Sequence, residues 1–275
     1  MWNFIQEALR YPFMQQALWV ALLLALTCAL LSCFLVLKGW SLMADAISHA
    51  LLVGVVIAHA LGLHLLLGAF GAGLSCASLT AWLERRSSLK SDSLLGISFA
   101  TLFALGIAFS SGGQHLVHLL FGNLLGMLPA QRLQILLICL LILLVLALKG
   151  RELMLFVFDP VQARLVGLAP ARLGALLLVL LTLITVAALQ AVGVILVVAL
   201  LIAPALAAQL LTKRFGLMLL LASLIAVLST AAGVLLSYRW NSAPGATIVL
   251  CQTVAFLLAL LLRHIRQHNR TLYWG

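Results

Sequence analysis

Residues 15–37 read QQALWVALLLALTCALLSCFLVL, a stretch with no charged side chain and an apolar residue at nearly every position. About 20 such residues, wound as a helix, cross the ~30 Å hydrocarbon core of a bilayer. A helix on the surface of a soluble protein would instead keep one polar side. The pattern recurs at 41–61, 64–83, 93–110, 133–148, 173–189, 191–211, 215–238 and 244–262. The chain is therefore expected to be all-α, a polytopic helical membrane protein with about nine transmembrane helices. A membrane barrel would show short alternating strands in place of continuous apolar runs. Composition agrees, because 8% of the 275 residues are charged, against roughly a quarter in soluble domains.

The basic residues give the orientation. Lys38, Arg85, Arg86, Lys90, Lys149, Arg151, Arg164, Arg172, Lys213, Arg214, Arg263, Arg266 and Arg270 fall on one set of alternate connections, and only Arg10, Arg132 and Arg239 on the other. The richer side is expected to be cytoplasmic, with the N-terminus outside and the C-terminus inside. This alternation requires 173–211 to be two spans with a tight turn near Gln190 and Gly193, since a single span would reverse every later connection. The net charge of +10 sits at the ends of apolar runs, where it suits anionic lipid headgroups. It forms no solvated basic face, so no nucleic-acid partner is expected. Cys28, Cys33, Cys76, Cys139 and Cys251 lie inside apolar runs without CxxC spacing and read as buried small hydrophobes. The opening Met-Trp-Asn-Phe, with Glu7 near Arg10, lacks a basic leader region, so the first span is expected to be retained.

Of the six acidic residues, Asp45 alone stands inside a predicted span, in SLMADAISHA at 41–50. An ionised carboxylate there costs several kcal/mol unless it is paired or reaches water. His49 follows four residues later, on the same helix face. Carboxylate and imidazole together suit Mn²⁺, Fe²⁺ or Zn²⁺. Two ligands are too few for a tight site, which fits a conduit that must release its ion and whose site is completed by another subunit or by water. The alternatives at this point are simple pairing of the two with each other or with a neighbouring helix, or a proton relay.

The stretch LKGWSLMADAISHA at 37–50 resembles the second-helix signature of the ABC-3 permeases, the membrane subunits of bacterial manganese, iron and zinc importers. In the same order come LKSDSLLGI at 89–97, LLFGNLLG at 119–126, Arg151-Glu-Leu and FDPVQARLVG at 158–167. LQAVGV at 189–194, LIAPA at 201–205 and SAPGA at 242–246 follow. The resemblance covers nearly the whole chain and implies one transmembrane permease domain over 1–275 in the bacterial inner membrane. It also implies a second permease subunit, identical or related, a cytoplasmic ATP-binding-cassette ATPase dimer, and an extracytoplasmic protein that delivers the metal. Asp45 and His49 match the family's metal-coordinating Asp and His. No permanently bound cofactor is implied, only the transported Mn²⁺ or Fe²⁺, with Zn²⁺ as the alternative; the 38–42 and 158–160 stretches look more like the manganese and iron branch.

Segment 149–172 is the longest charged connection, and Gly167 stands where a short helix would end. The resemblance makes this the element that docks on the ATPase, with Asp159, Arg164 and Gly167 as the candidate coupling residues. No Gly-Lys-Ser/Thr phosphate loop occurs in the chain, so ATP hydrolysis is expected on a separate subunit and the chain is not itself an enzyme. His115 and His118, three apart in an outer connection, are weaker candidates for receiving the ion. His59 and His64 read as interfacial, and His264 and His268 as part of a basic tail near lipid headgroups. Two other classes compete: a secondary cation or proton transporter using Asp45 as its coupling carboxylate, and an intramembrane enzyme, for which neither HExxH nor a serine–histidine constellation is present.

Overall fold

The computed structural model describes residues 11–86 and 126–272, with positions 94, 96–98, 100–102, 104, 105 and 124 between them. Its helices are α1 (Pro12–Lys38), α2 (Ser41–Ala60), α3 (Leu65–Arg86), α4 (Pro129–Phe158), the short α5 (Pro160–Leu165), α6 (Pro170–Leu211), α7 (Phe215–Trp240) and α8 (Pro244–Leu272). Among the described residues seven helices are long and apolar enough to cross a membrane, and Leu196–Leu211 is a shorter apolar helix. Half of the expected span at 93–110 falls outside the described residues.

Five of these helices begin with proline. Proline has no N–H to leave unsatisfied in a first turn, and its fixed φ suits helix entry. That local signal starts α4 at Pro129 and α6 at Pro170, several residues before the apolar runs at 133 and 173 from which the sequence reading dated them.

α6 is the central element, packed against α1, α2, α3, α4, α7 and α8. Its first half is the most deeply covered of the spans, and α4 and α8 are among the least. Leu177, Leu181 and Ile184 of α6 are fully buried, as are Leu24, Leu31 and Leu35 of α1. The hydroxyls caught in this core return to their own helices: Thr182 donates to the Leu178 carbonyl at 2.9 Å and Thr185 to that of Leu181 at 2.6 Å. Polar groups at lipid depth must be satisfied internally, and this is the shortest route. Cys28, Cys33, Cys76 and Cys139 are buried and unpaired, as small hydrophobes are.

A straight helix of 42 residues would be ~63 Å long, twice the bilayer core. Its two ends nevertheless both meet phenylalanines at the last turn of α4. Gly174 lies against Phe156 and Trp40. Phe215, just past the other end, packs edge-on to Phe34 and Phe158 at 5.2 and 6.0 Å between ring centroids. The middle lies at the opposite end of the bundle, where Gly245 approaches the Val192 carbonyl. The chain therefore turns back between the halves, and it does so at Gly193, whose φ of 77° and ψ of 171° belong to a region open essentially to glycine alone.

The apolar run assigned to 133–148 is longer than its composition suggested. α4 continues ten residues past Leu148, through Lys149, Gly150, Arg151 and Glu152, to Phe158. Charge does not stop a helix, and a single glycine costs only ~1 kcal/mol. Lys149 and Glu152 pair at 2.6 Å across one turn, and Leu153, Phe156 and Val157 keep an apolar stripe buried. The helix ends where Asp159-Pro160 ends it.

Candidate functional site: a carboxylate and an imidazole on an uncovered helix face

α2 has two unlike sides. Met43, Ala44, Ile47, Ala50 and Leu51 are buried, and Gly73 of α3 sits against Ile47, Leu51 and Thr182. Further along, a methyl group added at Gly54 would collide with the Gly68 carbonyl, so α2 and α3 touch backbone to backbone, the close approach that small residues permit in lipid. On the other side Leu42 is exposed, and Asp45 and His49 keep 48% and 35% of their side-chain surface. The pair thus lies one and two turns inside the helix, on a face its own bundle does not cover.

The expected i,i+4 contact is present. His49 Nδ1 lies 3.4 Å from Asp45 Oδ1 and 2.9 Å from the Asp45 carbonyl oxygen. An oxygen of the backbone cannot donate, so Nδ1 is the donor, and in the neutral ring the lone pair is on Nε2. Metal-binding histidines are commonly oriented in this way, one nitrogen fixed by a carbonyl and the other presented to the ion. Ser48, on the buried side, donates instead to the Ala44 carbonyl at 2.7 Å. Among the described residues no group of three or more His, Cys, Asp and Glu side chains forms a closed site. The chain therefore brings a carboxylate oxygen and an imidazole nitrogen to one place, two donors that could contribute to holding a metal ion.

His115 and His118 lie outside the described residues. Asp159, Arg164 and Gly167 come together at the basic end of the bundle, on and around α5. Asp159 caps this helix, its Oδ1 accepting from the Val161 and Gln162 amides at 2.9 Å each. Gly167, at φ 85°, closes it: its N–H reaches the Arg164 carbonyl at 3.0 Å, and that of Leu168 reaches Ala163 at 3.0 Å, the glycine-terminated Schellman pattern. Arg164 is exposed. Sequence reading missed Val161, Leu165 and Val166, which project from the same helix with 65%, 83% and 66% exposure. Apolar residues on either side of Gln162 and Arg164, between a capping aspartate and a closing glycine, were the available signal.

The ABC 3 transport family matches residues 10–263 of this sequence. The chain belongs to that family. Among its relatives, the chelated iron transport system membrane protein YfeD of Yersinia pestis is 46% identical over 97% of this chain and 91% of that protein. The manganese transport system membrane protein MntB of Synechocystis is 39% identical over 94% and 86%. In the solved structure of PsaBC from Streptococcus pneumoniae in complex with Fab, a chain 35% identical to this one superposes with a TM-score of 0.82 over 94% of both. As a member of the ABC 3 transport family with seven membrane-length apolar helices among its described residues, the protein is a multi-pass protein of the bacterial inner membrane.

Proposed function

We propose that this chain is the membrane-spanning permease subunit of an ATP-driven importer that carries a divalent transition metal, manganese or iron, into the cytoplasm. The observation that carries this reading is the Asp45–His49 pair, half-exposed on a largely apolar helix, in a family whose relatives include iron and manganese transport proteins. Carboxylate oxygen with imidazole nitrogen is a donor set that Mn²⁺ and Fe²⁺ accept. Two donors per chain hold an ion weakly. A second permease subunit presenting the same face supplies two more, so that two carboxylates and two imidazoles surround one ion and neutralise its charge at lipid depth. Hydrolysis of ATP belongs to a separate ATPase subunit, and an extracytoplasmic binding protein delivers the metal to the end opposite the basic one.

The basic end faces the cytoplasm in this reading, and segment 149–172 couples to the ATPase. Asp159 and Gly167 hold the ends of α5 in shape, while Arg164 with Val161, Leu165 and Val166 makes the docking surface. The test is uptake of labelled manganese and iron by cells expressing the whole transporter. Loss of an outer partner of a metal ligand already costs 10–100-fold, so Asp45→Ala or His49→Ala should reduce uptake at least ~100-fold with unchanged amounts of the protein in the membrane. Uptake at the parental rate in either variant removes the assignment.

A further inference from the structure

A groove of about 500 Å³ runs along the outside of the bundle between α1 and α7, lined by Leu30, Gly216, Leu219, Leu220, Ser223 and Val227. From Gly216 to Val227 it follows α7 for ~16 Å. Ser223 is the one hydroxyl in its wall, and that hydroxyl donates to the Leu219 carbonyl at 2.7 Å. The groove therefore offers hydrocarbon walls and little hydrogen bonding. Leu220 and Leu224 along it are exposed, as side chains facing lipid are.

The mouth of this groove is different. Gly216 stands beside open space, and immediately before it come Lys213 and Arg214, both exposed. Among the described residues neither takes part in an ion pair. Both precede the first turn of α7, which has no side-chain cap. Cations are disfavoured at that end of a helix, where the amide groups already concentrate positive potential. Two unneutralised cations, uncapped amides and an apolar channel leading away from them are complementary to one kind of molecule, with an anionic head and a hydrocarbon tail.

We propose that the α1–α7 groove is a binding site for an anionic phospholipid, its phosphate held by Lys213, Arg214 and the first amides of α7, and one acyl chain lying along Gly216, Leu219, Ser223 and Val227. The site is separate from the Asp45–His49 face and stands whether or not that face carries metal.

Native mass spectrometry of the full-length protein in detergent tests it, with added phosphatidylglycerol, phosphatidylcholine of the same acyl chains, or inorganic phosphate. The parent protein should retain phosphatidylglycerol in preference to phosphatidylcholine, and phosphate should not displace it. Lys213→Gln with Arg214→Gln should lower that preference roughly tenfold or more, since each basic residue contributes separately to attraction of anionic lipid. Gly216→Leu, whose Cβ meets no neighbour while the rest of its side chain fills the mouth, should lower retention of both lipids. Equal retention of the two lipids by the parent, displacement by phosphate, or an unchanged preference in the double variant would each overturn the proposal. If the double variant does not reach the membrane, Gly216→Leu decides alone: undiminished phosphatidylglycerol rules the groove out.

Discussion

At the scale of single residues, positions that repeat the same amino acid carry different physical demands. Gly193 and Gly71 are both helix-flanking or helical glycines in the middle of apolar sequence. Gly193 has a backbone conformation that an L side chain rarely adopts, whereas Gly71 is helical with open space where a Cβ would go. Gly193→Ala should therefore cost ~1–3 kcal/mol, seen as a lower thermal midpoint of the purified protein. Gly71→Ala should leave the midpoint unchanged or raise it, because alanine is the better helix former. An unaltered midpoint in Gly193→Ala would mean that the turn in α6 does not depend on this residue. His49 illustrates the same point for chemistry: a hydrogen bond from Nδ1 to a carbonyl four residues back fixes how its ring is turned.

At the scale of elements, the legible features were those encoded locally. The i,i+4 relation of Asp45 and His49 follows from helix geometry alone, and the contact is there. The turn near Gly193 was required by alternation of basic residues, and the backbone breaks at that residue. Asp159-Pro160 and Gly167 carry start and stop signals that α5 obeys. What could not be read was the extension of α4 to Phe158, because hydropathy falls at Lys149 while helical structure continues. Exposure of Val161, Leu165 and Val166 was equally hidden, since it depends on how α5 sits against α4 and α6. These three side chains give the coupling proposal its sharpest test. Leu165→Asp places a charge at the centre of the apolar patch and should reduce co-purification of the ATPase about 30-fold or more, the size of an interface hot spot. Asp159→Ala removes a cap worth ~0.5–2 kcal/mol and should weaken it less. ATPase recovery equal to the parent's in Leu165→Asp would show that α5 docks nothing.

At the scale of the whole molecule, the surfaces divide by what can touch them. Leu133, Leu137, Leu140, Leu144 and Leu148 make an exposed, wholly apolar face on α4, which hydrocarbon satisfies without further partners. The α2 face cannot be met in that way. It carries Asp45 and His49 beside exposed Leu42, and a carboxylate against lipid tails costs several kcal/mol. Protein or water must cover it, and the proposed two-ligand site needs a neighbour to complete it. The second permease subunit should therefore meet α2 and leave α4 to lipid. Replacing Leu42 by p-benzoylphenylalanine places a photoreactive group one turn from Asp45 on the same face, and the reagent needs no particular residue on the partner. Illumination of membranes holding the complete transporter should join this 29.5 kDa chain to the second permease, giving a band near twice its mass, while the same group at Leu140 should not. The experiment detects an identical copy or a related subunit equally, and mass identifies which. Cross-linking at Leu140 in place of Leu42 would put the junction on the wrong side of the bundle, leaving the Asp45–His49 pair outside any shared metal path.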